Sequence, residues 1–290
     1  KLTESGLVFS ESTAGDINYT FKHALVREAA YASMLKSRRR ELHRAVAASL
    51  DEKFKEIAKQ RPELVAHHLT EAGEAEKAVE AWQTAGDFAS SRSAFNEALR
   101  HYKKGLEVLM SMPDTPERAF FELPLQAALG RTLQVSEGFG GKESVKAFSR
   151  AREISAQLGD SLQFQIILLG LWGTLHSQSQ ITAGSEISRE LVRLVQRDQN
   201  DMMLTWAYAV QAIESYATGK FTEVPGHFEM LSKHYHAEEH TWSPADPKVN
   251  ASIHMSLALW HLGKADQARE VRRAQAELAK DMAPSNIAMI

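Results

Sequence analysis

The chain has 290 residues, a formal net charge of −3 and no cysteine. So even a charge balance gives no general pull toward nucleic acid or an anionic surface. The lack of thiols excludes disulfides and thiolate metal sites, and a reducing, cytoplasmic setting is the expected one. Apolar residues make up 43% of the chain, which is enough to build a core and too many for general disorder.

The first 22 residues are the one stretch that reads as strand. Residues 7–10 (LVFS) and 17–21 (INYTF) are short and β-prone, and the turn-rich ESTAGD between them offers Gly15 for a positive φ. A small hairpin is expected, followed by helices to the end. The chain opens at Lys1 within what reads as folded sequence, so it is expected to be a piece of something longer. Residues 36–44 (KSRRRELHR) form a short basic run. It could meet phosphates, but the net charge gives that reading no support. We read it as a solvated helix face, with Arg38, Arg39 and Arg40 available to an anionic neighbouring domain. His67 and His68 in ELVAHHLTEAG are expected as one buried and one exposed ring of a helix.

Two helices follow with clear apolar faces. Over residues 75–89 the face carries Ala78, Val79, Trp82, Ala85, Gly86 and Ala89. Over residues 94–109 it carries Phe95, Ala98, Leu99, Tyr102, Leu106 and Leu109. The small residues let a neighbouring helix approach, and the large ones fill the gaps. Short polar or glycine connections imply antiparallel neighbours. Helix starts are marked by TPE at 115–117 and DPK at 246–248, where a capping oxygen precedes a proline at the first helical position. SEGFGGKES (136–144) invites comparison with a phosphate loop, but Ser136 stands where the first glycine is needed and Glu143 where Ser or Thr is needed. It is read as a connection between helices. FQIILLGLWGTL (164–175) is too short to span a membrane and reads as a buried helix. ATGKF (217–221) and HLGKA (261–265) each place a glycine at a helix end. These elbows lie 44 residues apart, so an insertion is expected at YHAEEHTWSPAD (235–246). Its HYHAEEH stretch holds three histidines without helical ligand spacing and is read as a solvated, mixed-charge loop. His254 and His261 are expected to pack or cap. No nucleophile–base or paired-carboxylate spacing is visible, so the chain is expected to have no catalytic residue, no metal and no cofactor of its own.

Counted from residue 79, Trp82, Ala85–Gly86, Ala89, Ala98, Tyr102 and Gly105 fall at positions 4, 7–8, 11, 20, 24 and 27. This spacing resembles that of the roughly 34-residue tetratricopeptide repeat. Trp82, Gly86, Ala98, Tyr102 and Gly105 are its signature here. About a dozen helices in five or six pairs imply an all-α solenoid with a short N-terminal hairpin, whose product is an extended binding surface.

The stretch YTFKHALVREAAYASMLKSRRRELHRAVAASLD, followed by PELVAHHLTEAGEAEKAVEAWQTAGDFASSRSAFNEALRHYKKGLEVL, resembles the junction between a bacterial STAND-type signalling ATPase and its C-terminal tetratricopeptide region. The similarity is greatest to members that also carry a class III adenylate/guanylate cyclase domain. It implies that residues 1–50 end a winged-helix subdomain and that residues 51–290 form the repeat superhelix. FKHALVREAAY resembles the Met-His-Asp motif of such ATPases, with Lys22 in place of the Met and Ala24 in place of the Asp. It implies His23 as a sensor of the ADP phosphate, with ATP or ADP held by an upstream domain. The implied function is a non-catalytic module that holds a protein or small effector on the concave face and regulates the upstream ATPase and cyclase. Two alternatives are the inducer-sensing region of a LuxR-type ATPase transcription regulator and a free-standing repeat adaptor.

Overall fold

The computed structural model describes residues 3, 6–13, 16–158, 161–240, 243 and 245–280. Strands β1 (Val8–Thr13) and β2 (Asp16–Phe21) pair antiparallel, with Val8 opposite Phe21 and Thr13 opposite Asp16. The pairing therefore runs through Glu11–Thr13, which the sequence reading had assigned to the turn; a tight connection lets those residues extend the ladder. Gly15 lies outside the described residues. Fourteen α-helices follow among the described residues, two more than the sequence count. They are α1 (Ala24–Ser33), α2 (Lys36–Glu52), α3 (Lys55–Gln60), α4 (Pro62–Ala72), α5 (Ala75–Ser91), α6 (Phe95–Met110) and α7 (Pro116–Glu137). Then come α8 (Lys142–Leu158), α9 (Ser161–Ser177), α10 (Ile181–Asp198), α11 (Asp201–Ala217), α12 (Val224–His234), α13 (Pro247–His261) and α14 (Ala265–Ala279). The chain forms two compact units, one of residues 1–92 with 100–121 and one of residues 93–99 with 122–290.

In the first unit, α5 buries Ala78, Val79, Trp82, Ala85, Gly86 and Ala89, the whole apolar face read from its spacing. Trp82 packs with Ala66 and Ala85. Its Nε1 donates to Thr70 Oγ1 at 2.9 Å, and its ring stacks on His101 at 5.4 Å between centroids. Gly86 lies directly under the Tyr102 ring, where a Cβ would come within 2.2 Å of a ring carbon. Tyr102 is buried, and its hydroxyl donates to Asp87 Oδ1 at 2.8 Å. A glycine on one helix of the pair and an aromatic on the other thus fix how closely the two helices approach. Ala98 and Gly105 are also buried on α6.

The second unit repeats the helix–elbow–helix plan. Ala209 on α11 and Ala251 on α13 leave room for Leu231 of α12; one step further along, Ala212 and Ala258 do the same for Val224. The elbows at Gly219 and Gly263 share left-handed φ values of 77° and 76°. In each, the residue after the glycine donates back across the last helical turn, Lys220 N to Ser215 O and Lys264 N to Leu259 O, both at 2.8 Å. Gly73 of the first unit, φ 78°, ends α4 in the same way. Asp246 caps α13 by accepting from Lys248 N and Val249 N, ahead of Pro247. These features together make the chain a tetratricopeptide-like α-solenoid of antiparallel helix pairs preceded by a short hairpin.

Candidate functional site

The first helices of successive pairs in the second unit, α7, α9, α11 and α13, share a face that holds a cavity of about 300 Å³. Its walls are apolar: Phe139, Ile166, Leu169, Trp172, Trp206 and Ile213. Two glycines of α9 line it, with different roles. A Cβ at Gly170 would lie 2.6 Å from Phe148, so that helix surface is already in tight contact with α8. A Cβ at Gly173 would meet nothing nearer than Phe139 at 3.5 Å, so that position faces open volume. Gln134 ties α7 to α9: its Nε2 donates to Gly170 O and to Thr174 Oγ1, both at 2.8 Å. Trp172 Nε1 donates to Glu214 Oε1 of α11 at 2.9 Å, and His176 stacks on the indole at 5.2 Å.

Two imidazoles line this cavity. Burial lowers the His176 pKa, against a smaller opposing effect of Glu214. Burial also lowers that of His254, against its contact with the Asn250 carbonyl. His254 Nδ1 donates to Asn250 O at 3.1 Å, so in the neutral ring Nε2 is left as an acceptor. Arg131 stands at the rim and is exposed. Neutral rings inside and a guanidinium at the mouth suit a ligand with an apolar or aromatic body and an acidic end. A wider trough of about 950 Å³ lies along α10–α12, but it is lined by charges of both signs, several of which already have partners: Glu214 accepts from Ser185 and Glu223 from Ser215.

The insertion at 235–246 closes part of the cavity through Ser243 and Ala245. Within HYHAEEH, residues 236–239 are exposed, as the reading of a solvated loop expects, and the correction falls on His240. His240 is buried, stacked on Tyr235 at 5.4 Å and edge-on to Trp206 at 6.1 Å. Tyr235 donates to Asp246 Oδ2 at 2.8 Å, and burial next to that carboxylate raises its pKa well above the ordinary phenol value. Tyr235 and His240 are thus part of a core, which the polar letters around them conceal. His254 and His261 pack: His254 sits edge-on to Tyr216 at 5.5 Å, and His261 stacks on Phe221 at 4.5 Å.

His23 and Arg38 to Arg40, also singled out in the sequence, lie in the first unit. His23 is exposed at the N-cap of α1, where its carbonyl accepts from Val26 N and its side chain makes no capping bond. Arg38 is exposed and paired with Glu41 one turn on; Arg39 lies over the Tyr31 ring at 5.1 Å; Arg40 is exposed beside the Gly73 elbow. Sequence reading noted His254 and the helix at 164–175 separately, but not as one site, because the lining comes from four helices and two connections that only the fold brings together. The pair of glycines in LLGLWGTL was the one available signal.

No family model matches the chain. It is 27% identical over 175 residues, 60% of its length, to an uncharacterized protein of Rhizobium meliloti (strain 1021), and the match spans 17% of that protein. Among solved structures, it is similar to a STAND protein with a tetratricopeptide repeat sensor from Pyrococcus horikoshii. The TM-score is 0.58 at 14% identity, covering 99% of this chain and 53% of that one. It is also similar to BtubC from P. vanneervenii, with TM-score 0.53, 15% identity and coverage of 87% and 92%. A third is a Rap protein complexed with competence and sporulation factor, with TM-score 0.53, 15% identity and coverage of 88% and 76%. At these identities the likeness establishes the fold. No described helix is long and apolar enough to cross a membrane.

Proposed function

We propose that the chain is a non-catalytic, cytoplasmic effector-sensing repeat module that regulates a signalling ATPase, and through it a cyclase, encoded on the same polypeptide. The observation that carries the sensing part is the cavity on the first-helix face of the second unit. It would take the apolar or aromatic group of a protein segment or small effector, with Arg131 meeting an acidic end. Two features support the ATPase part: the resemblance of residues 19–51 and 62–109 to the STAND junction, and a fold shared with a STAND protein. In this reading, His23 faces the ADP phosphate of the upstream domain. The imidazole stands at a helix N-terminus, where the dipole favours an anion. Arg38 to Arg40 form part of the interdomain contact. Exposed Phe9, Tyr19, Leu25 and Leu35, with fractional exposures of 55, 66, 78 and 76%, support a covering partner on the hairpin and first helices. For the module to act as a switch, the effector must bind two ATPase states unequally; about 1.4 kcal/mol of difference shifts their ratio tenfold.

The test uses Gly173→Leu, whose Cβ would meet nothing nearer than Phe139 at 3.5 Å and whose side chain would occupy cavity volume. Aromatic carboxylic acids and short acidic peptides are screened for a rise in melting temperature of the chain. Hits should stabilise the wild type and not the variant, while circular dichroism shows both folded. Equal stabilisation of the two refutes the site. The ATPase part is tested separately, by ATP turnover of the chain produced with its upstream coding sequence.

A further inference from the structure

Away from the cavity, the first unit brings three histidines together from two helices. His43 lies on α2, and His67 and His68 are neighbours on α4. One ring nitrogen from each lies within 4.8 Å of the others. His43 Nδ1 and His68 Nδ1 are 2.8 Å apart, and the third ring sits 5.8 and 5.3 Å from them between centroids. Packing that needs only bulk would not point three nitrogens at one another. Two facing nitrogens can share one proton, but a third imidazole at this spacing gains nothing from being there unless something occupies the centre.

The geometry points to a divalent first-row transition-metal site, of the class that takes Zn²⁺, formed by His43, His67 and His68. Tetrahedral ligands with Zn–N bonds of about 2.0–2.1 Å lie about 3.3 Å apart. One pair of the present nitrogens is at 2.8 Å and all lie within 4.8 Å of one another, a range that includes that spacing. Imidazole nitrogen is the ligand type such ions favour, and three leave one position for water or a carboxylate. Glu71 lies one turn beyond His67 and His68 on α4.

An outer shell is already in place. Tyr31 Oη is 2.9 Å from His43 Nε2 and donates to Glu71 Oε2 at 3.5 Å. If the tyrosine proton goes to Glu71, its oxygen accepts from His43 Nε2–H. That leaves the His43 Nδ1 lone pair facing His68, the tautomer a metal requires. The ion would clamp α2, which leads from the hairpin, onto α4, the first helix of the repeat array. This inference is independent of the cavity and its effector.

The 290-residue chain, stripped with a chelator, is titrated with Zn²⁺ by calorimetry and with Co²⁺ by its visible d–d absorption. One ion per chain with tetrahedral-type Co²⁺ intensity is expected. His43→Gln and His67→Gln should each weaken binding tenfold or more, and Tyr31→Phe about tenfold through the lost outer shell. His234→Gln, which alters the separate His234–Asp201 pair, should have no effect. His67 is exposed, so its variant reads binding without disturbing a core. No saturable binding, or binding unchanged in His43→Gln and His67→Gln with helix content intact, overturns the site.

Discussion

Gly86→Ala tests whether the repeat signature is a packing requirement. An added Cβ would sit 2.2, 2.5 and 2.7 Å from three carbons of the Tyr102 ring. Ordinary carbon contacts lie near 3.5–4.0 Å, so the ring must move by more than ~1 Å. It has little freedom to do so, being 2% exposed and held by its bond to Asp87. Overpacking of this kind costs about 1–3 kcal/mol, and a strained hydroxyl–carboxylate bond adds about 1 kcal/mol. Against this, alanine gains up to ~1 kcal/mol over glycine inside a helix. The net expectation is a loss of about 1–3 kcal/mol, read as a lower urea midpoint at unchanged slope by circular dichroism. A Tyr102→Ala background removes the obstacle, and there Gly86→Ala should be neutral or stabilising by up to ~1 kcal/mol. If Gly86→Ala stabilises the unmodified chain, or costs the same in both backgrounds, glycine is not there to admit the ring.

Arg150→Ala should cost about 1–3 kcal/mol in the same assay, since it strips a bidentate partner at 2.7 and 2.9 Å from Glu122, a carboxylate 7% exposed. Arg150 is 47% exposed on its side chain, which keeps the figure below that of a fully buried pair. Pairing the variant with Glu122→Gln should recover part of the loss. His254 has a pKa lowered from 6.5 by burial, so the folded chain binds fewer protons than the unfolded one. That contribution to stability is whole above pH 6.5 and is lost as the pH falls through 6.5 toward the lower folded value. His254→Gln should accordingly flatten the fall in denaturant midpoint between pH 7.5 and pH 5.5, and an unchanged slope would contradict the assignment.

The helix pairs were legible because one-face periodicity and glycine elbows are local. Ala78 through Ala89 read as a stripe and are a stripe, and Gly219 and Gly263 end their helices where their spacing places them. The three-histidine cluster was not legible. His67 and His68 are adjacent, which is not a helical ligand spacing, and His43 is 24 residues away from the nearer of them in a run that draws attention for its arginines. Only the packing of α2 on α4 brings the three together. His240 failed for a related reason: polarity was judged by letter, and a ring between Tyr235 and Trp206 is buried whatever its neighbours in sequence are.

The insertion between α12 and α13 shows how an array of local contacts acquires a pocket. An ordinary elbow, such as Leu262, Gly263 and Lys264, returns the chain within three residues. Here Tyr235 and His240 instead stack on each other, and His240 turns inward against Trp206. Asp246, near the end of the loop, both accepts from Tyr235 and caps α13. The start of α13 is thereby fixed by the loop's own aromatic residue, and Asn250 and His254, one and two turns along, are positioned at the cavity. Shortening the loop to elbow length would remove both the wall and this anchor. A change of that size would leave the helix pairs intact, because each is held by its own elbow and small-residue contacts, and would open the cavity on the side of Ser243 and Ala245. The closure of the cavity therefore resides in the departure from the repeat, while stability resides in the repeat itself.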